Sequence, residues 1–449
     1  MKKIFILLFL FTCTLSFSQG TKQINKVKRV SGHPAWIMQG NIYEVNIRQY
    51  TEEGTLNAFA KHLDRIKAMG VQTVWFMPIN PISKLDRKGS LGSYYAVSDY
   101  TAFNPEYGTM DEWKQVVKSI HQKGMKVIID WVPNHVGADN RWLTEQPGFF
   151  VKDANGNAAV AFDWADTRQL NYKNPVMQDS MIAAMKFWLT KTGIDGFRCD
   201  VAWNVPASFW SKCIPALTKL KPDLFMLAEG DSAYLPKSGF DAVYPWHMFH
   251  KMVDVAKGAR PAISLDTMLN EIKTMYPANT LQMYFTSNHD ENTWNSSDFG
   301  TFPGAVHAPF AVFTQTMFNS VPLIYSGQEE PVLRAIKFFD KDPMTFKKLE
   351  REKFYKTLLA LRKRNPALTV NASFKKIEAG DEKAVYAYVR EKSGKKVLVI
   401  LNLSASEQAI TIKNKSLLGN PYNVFMGAKE KLTDKPWNIE PWGYALYEY

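Results

Sequence analysis

The chain has 449 residues, more than one compact core usually organises, so a large domain with smaller attachments is expected. Apolar residues at 46% and charged residues at 22% exclude a fibrous, disordered or polytopic membrane protein. The net charge of +12 comes from scattered lysines with no basic stripe interleaved with aromatics, so it marks a solvated surface and no nucleic-acid partner is expected.

Met1-Lys2-Lys3, the apolar run Ile4 to Phe11 and the small polar stretch ending at Gln19 read as a signal peptide over 1–19. The protein is therefore expected to be exported, whether periplasmic, cell-surface or secreted. The run is short for a bilayer span and no later run approaches that length, so the mature chain should carry no integral membrane segment. Beyond the leader only Cys199 and Cys213 remain, too few for a disulfide framework, and buried free thiols are expected.

From Asn41 onward, short runs rich in Val, Ile and aromatics alternate with amphipathic segments, the pattern of a parallel sheet wrapped by helices. Strands are predicted at Ile42 to Ile47, Thr73 to Met77, Lys126 to Trp131, Gly196 to Val201, Leu224 to Glu229, Ala242 to Tyr244, Met283 to Ser287 and Pro322 to Tyr325. Eight such units predict an α/β fold closed as a (β/α)8 TIM barrel over 20–365. Thr55 followed by Leu56, Phe59, Leu63 and Ile66 predicts a helix that Gly70 stops, and Thr109 with Glu112 makes a capping box for the next. After the third strand, 135–175 is rich in Gly, Asn, Asp and Pro without periodicity. This predicts an inserted excursion over the C-terminal face of the barrel. Arg364-Asn365-Pro366 breaks the last barrel helix, and alternating runs such as Ala384 to Val389 and Val397 to Asn402 predict an antiparallel β-sandwich over 366–449.

Polar residues gather at the predicted C-terminal ends of strands: Asp130, Asn134 and His135 after the third, Arg198 and Asp200 on the fourth, Glu229 on the fifth, His289 and Asp290 after the seventh. On a barrel these ends open into one crater. A lone acid at a strand end is as often a cap or an ion-pair member, but four converging strands outweigh that explanation. Three carboxylates with an arginine fit glycoside hydrolysis, in which one acid protonates the leaving oxygen while a carboxylate attacks the anomeric carbon. Arg198 lies two residues from Asp200 on the same strand face and would keep that carboxylate ionised, and Glu229 would donate the proton.

Asp130 to His135 (DWVPNH), Gly196 to Asp200 (GFRCD), Glu229 within LAEG, and Thr286 to Asp290 (TSNHD) together resemble the signature regions of the α-amylase family, glycoside hydrolase family 13. The likeness extends to GVQTVWFMPINPI, to YAVSDY at Tyr95 to Tyr100, to QLNYKNP at Gln169 to Pro175 and to VPLIYSGQE. The resemblance implies a retaining enzyme acting on α-1,4-linked glucans, starch and maltodextrins: Asp200 as nucleophile, Glu229 as acid and base, Asp290 stabilising the transition state. It also implies that His135 and His289 bind sugar hydroxyls, that Tyr95 stacks on the ring at the cut, and that Asp130 braces Arg198. A 4-α-glucanotransferase would use the same acids, and a sugar-binding relative would be expected to lack some of them. The chain departs from the family at Trp203-Asn204, where Lys-His is common, so Trp203 would contact the sugar beyond the cut by stacking. The resemblance further implies a structural Ca2+ held by Asn134 with Asp163 or Asp166, the alternative being that Asn134 only ties a loop.

Overall fold

The computed structural model describes residues 29–449, so the leader read in 1–19 lies outside the described residues. Eight parallel strands form the central sheet: β1 Ile42–Val45, β2 Thr73–Phe76, β3 Lys126–Trp131, β4 Gly196–Cys199, β5 Phe225–Ala228, β6 Ala242–Val243, β7 Leu281–Gln282 and β8 Leu323–Tyr325. They neighbour one another in sequence order, and β8 pairs with β1 through Leu323↔Ile42, Ile324↔Tyr43 and Tyr325↔Glu44. The ring closes between β7 and β8, where Gln282 bridges Ser320 and the Val321 N–H donates to the Gln282 carbonyl at 2.9 Å. This is the expected (β/α)8 barrel. Its strands read as largely apolar runs because both faces are covered, the inner by barrel side chains and the outer by helices.

Boundaries differ in instructive places. The first strand stops at Val45, and Ile47–Tyr50 turns into a short buried helix. The segment 283–287 forms no ladder; the paired residues are Leu281–Gln282, after which Met283 N still donates to the Val243 carbonyl as the chain fans outward. The helix expected over 56–69 is two, Leu56–Ala60 and Leu63–Met69, with Gly70 as a left-handed C-cap at φ 109°. The Thr109/Glu112 capping box forms in full at the start of Met110–Gln122.

The excursion carries a small antiparallel hairpin, His135–Gly137 against Thr167–Gln169. Beyond the barrel, Ser373–Ile377, Val385–Lys392, Lys395–Asn402, Tyr444–Glu448, Tyr422–Asn423 and Ala428–Lys429 form one antiparallel sheet in that spatial order. Alternation along Val385–Lys392 divides its faces. Tyr386 and Tyr388 join the barrel core, while Val385, Ala387 and Val389 pack with Ile410 and Ile439 of a two-stranded ribbon laid over the other side. The buried Arg390 fastens the two domains by donating to the Thr316, Met317 and Thr369 carbonyls. Among the described residues no helix is long and apolar enough to cross a membrane.

Candidate active site

The crater is built on a register. Asp130 and Arg198 are Cα partners on β3 and β4, so their side chains emerge on the same face side by side. Arg198 is fully buried, and its guanidinium lies 5.2 Å from the centroid of the Trp75 ring. Nη1 donates to Asp130 Oδ1 and to Asp200 Oδ1, each at 3.0 Å, and Nε donates to the Tyr244 hydroxyl at 3.1 Å. Nη2 stands 3.0 Å from Glu229 Oε1 in an ion-pair contact. One rigid cation thus holds three carboxylates from three successive strand ends, and four guanidinium–oxygen contacts offset much of the cost of burying those charges.

The residue after Asp200 makes a second link. Val201 adopts a left-handed backbone with φ 45°, a conformation that crowds a β-branched side chain. The turn aims its N–H at Glu229 Oε2, 2.7 Å away. The fourth and fifth strand ends are therefore locked together through Glu229 by a main-chain bond as well as by Arg198.

On the opposite side Tyr95 completes the wall, with His289 behind it. The Tyr95 hydroxyl donates to Asp130 Oδ2 at 3.2 Å and meets His289 Nε2 at 2.7 Å, with the two rings stacked 5.5 Å apart. His289 Nε2 also lies 3.2 Å from Asp290 Oδ2, and Nδ1 lies 2.5 Å from Glu44 Oε1. His135 is buried beside Asn134 and the Trp164 ring.

Burial and the negative charge of Glu229 hold the Asp200 carboxyl well above the usual carboxylate range, with Arg198 pulling it back down. Burial pushes Asp130 up to about 6, again against Arg198. Asp290 goes the other way: burial opposes ionisation, but His289 outweighs it and the group sits below its ordinary value. Burial drops His135 to about 3, so this imidazole is neutral at any ordinary pH.

These groups line a cavity of about 420 Å³. Tyr95, His135, Asp200, Trp203, Glu229 and Asp290 all contribute to it, while Asp130, Arg198 and His289 support it from behind. Sequence reasoning missed Lys88, Trp294 and Phe338 on its rim, and Glu44 and Tyr244 beneath it. The last two were detectable as polar groups inside otherwise apolar strand runs.

The family model described as "Alpha amylase, catalytic domain" matches residues 14–155 and 153–353. The chain belongs to the α-amylase family of glycoside hydrolases. A second model, "Alpha-amylase SusG C-terminal domain", matches residues 385–441 of the β domain. Among curated relatives, Alpha-amylase 2 of Dictyoglomus thermophilum is 24% identical over 427 residues, 84% of this chain and 72% of that protein. The Cyclomaltodextrinase of Thermoanaerobacter pseudethanolicus is 26% identical over 395 residues, covering 80% of this chain and 65% of its own length. Among solved structures, an alpha-amylase from Lactobacillus plantarum superposes with a TM-score of 0.83 at 27% identity, over 92% of this chain and 99% of that one.

The residues expected to hold calcium in this α-amylase family member do not fit a divalent cation. Asn134 Oδ1 already accepts N–H groups from Asn204 at 2.9 Å and Gln169 at 3.1 Å. Asp166 faces Lys88 at 3.4 Å, and Asp163 is exposed. Calcium is bound by six to eight oxygens with carboxylates prominent among them. Around Asn134 the partners are two neutral amides, and among the described residues no group of three or more His, Cys, Asp or Glu gathers as a metal site. The amide cluster ties the excursion, through Gln169, to the end of β3 and to the Trp203-Asn204 turn. Cys199 and Cys213 are buried free thiols, as expected.

Proposed function

We propose that the protein is an exported, retaining glycosidase that cleaves α-1,4-glucosidic bonds of maltodextrins and soluble starch. The observation that carries this reading is the grip of one buried guanidinium on both Asp200 and Glu229 at the floor of an aromatic-lined cavity. Retaining glycosidases keep their two carboxyls about 5 Å apart, and inverting ones roughly 6.5–9.5 Å to admit a water. Two carboxylates held by neighbouring nitrogens of one planar fork favour the closer class.

In the first step an Asp200 oxygen bonds to the anomeric carbon as the glycosidic C–O bond breaks, and the Glu229 proton passes to the departing oxygen. In the second, water attacks the same carbon, Glu229 takes its proton, and the Asp200 ester bond breaks. Arg198 supports the attack by pulling the Asp200 carboxyl down against the burial that raises it, and a protonated Glu229 removes the other charge that opposes its ionisation. Asp290, ionised beside His289, stabilises the positive charge that builds on the sugar ring. His135 on the cavity wall meets the sugar's hydroxyls, Tyr95 stacks against the ring being cleaved, and His289 backs Tyr95 and Asp290.

Trp203 is 48% exposed and packs 5.9 Å from Phe162, itself on the surface. This pair forms an apolar platform at the cavity mouth suited to a sugar beyond the cut. Such a platform also favours a second reading, glucanotransfer, in which an acceptor hydroxyl replaces water. Chromatography of the products from maltoheptaose separates the two. Shorter α-configured maltooligosaccharides support hydrolysis, longer products support transfer, and unchanged maltoheptaose and starch would overturn the proposal.

A further inference from the structure

We propose that Glu44 is a positioning residue for this reaction, holding His289 as an imidazolium that faces Asp290 and Tyr95 behind the sugar site. The proposal rests on the reading of the crater as a glycosidase site and extends it to a residue of the first strand.

Glu44 is an acid within the apolar run Ile42-Tyr43-Glu44-Val45, and it is fully buried. Its register partners are Trp75 on β2 and Tyr325 on β8. Burying a carboxylate in such surroundings is costly unless it is paired, and its one hydrogen-bonded oxygen, Oε1, meets His289 Nδ1 at 2.5 Å. The other oxygen, Oε2, is buried without a partner among the described residues.

The protonation state of His289 follows from its neighbours' hydrogen-bonding capacity. Around Nε2 stand Asp290 Oδ2 at 3.2 Å and the Tyr95 oxygen at 2.7 Å. A carboxylate only accepts, and the Tyr95 proton is directed to Asp130 Oδ2. Nε2 must therefore donate. Nδ1 faces Glu44, whose carboxyl burial raises and His289 pulls back down; with that carboxyl ionised it only accepts, and Nδ1 donates too. An imidazole that donates from both nitrogens is the cation.

The other groups around the ring are the edge of Trp75 and the stacked face of Tyr95, with Arg198 and Asp130 behind Tyr95. Arg198 is the neighbouring cation that disfavours a second positive charge. Glu44 and Asp290 oppose it, and Glu44 is the one of the two that leaves Asp290 free for chemistry. Their combined effect outweighs burial and moves the imidazole well above its ordinary range.

The test has two parts on the full chain. In the wild type, 15N-detected NMR of labelled histidine should show both His289 nitrogens protonated at pH 7.5, and in Glu44→Gln the ring should lose its proton at a distinctly lower pH. In kinetics on an activated maltooligosaccharide, Glu44→Gln should lower kcat roughly 10- to 100-fold at neutral pH, the scale of one charge-assisted hydrogen bond, with KM within about threefold. The alkaline limb should move to lower pH, and Glu44→Asp, which keeps the charge, should restore much of the loss. A neutral His289 in the wild type overturns the proposal. So does a loss in Glu44→Gln that is equal at every pH, or no loss at all. If Glu44→Gln fails to fold, the wild-type spectrum and Glu44→Asp decide the matter. Should no α-glucan be turned over, the glycosidase reading fails while the NMR result still decides the His289 charge.

Discussion

Arg198→Lys puts the account of the crater under the most strain, because it keeps the charge and removes the fork. Arg198 contacts Asp130 and Asp200 through one nitrogen, Glu229 through another and Tyr244 through a third. A lysine ammonium is a single point on a flexible stem and cannot stand near 3 Å from all of them at once. Losing two charge-assisted contacts at about 1.5–3 kcal/mol each gives about 3–6 kcal/mol, or roughly a 10²- to 10⁴-fold fall in kcat. The pH profile carries a second signature. Burial and Glu229 raise the Asp200 carboxyl while Arg198 lowers it, so weakening that grip raises it further. Since Asp200 attacks as the anion, the acidic limb should move to higher pH. Stability follows with the same sign: carboxyls raised in the folded state are neutral and harmless below their unfolded value near 4, and become costly as pH rises through the folded value. The Tm deficit of Arg198→Lys should therefore be small near pH 4 and grow as pH rises. Stopped assays across pH 4–9 with parallel melting curves measure both. A loss under tenfold with an unmoved acidic limb would refute the reasoning.

Asp200→Asn removes the attacking charge and little volume, so hydrolysis should be abolished while calorimetry still finds maltooligosaccharide binding; substantial residual turnover would count against Asp200. Trp203→Ala should raise KM for longer maltooligosaccharides about 2- to 10-fold with kcat nearly unchanged, the scale of one aromatic stacking contact, and shift stability by no more than about 0.5 kcal/mol because the ring is exposed. Exhaustive treatment with a chelator should leave Tm and activity unchanged, since amide groups already occupy the Asn134 oxygen. A fall of several degrees that added Ca2+ reverses would show that a cation is held after all.

The barrel was legible because its signal is repeated: eight apolar runs separated by amphipathic helices leave little choice of architecture, and strand ends then converge whatever the loops do. The seventh strand was placed just after the two residues that the ladder uses, because the apolar stretch is Met283 to Phe285 while the paired residues include the polar Gln282. The split at Lys61-His62 within the helical segment 56–69 left no mark, since Leu56, Phe59, Leu63 and Ile66 stay in phase on one buried face across it. In the site, Asp200, Glu229 and Asp290 stood out by spacing and resemblance. Glu44 did not, although a carboxylate in an apolar strand that must point inward is a visible anomaly. Trp294 and Phe338 lie on segments without periodicity, and only the three-dimensional path of the chain brings them to the rim. The surroundings of Asn134, to which the calcium expectation was attached, were hidden for a local reason. Its oxygen is claimed by Gln169 and Asn204, and that pairing depends on the excursion folding back onto the turn after β4.

The central claim is a covalent sugar ester on Asp200, and trapping it is the most direct measurement. A deactivated fluorosugar with a good leaving group should accumulate the glycosyl-enzyme, and mass spectrometry of a peptic digest should place one added sugar on the peptide containing Asp200. Labelling on another carboxylate, or turnover with inverted anomeric configuration and no adduct, would contradict the account.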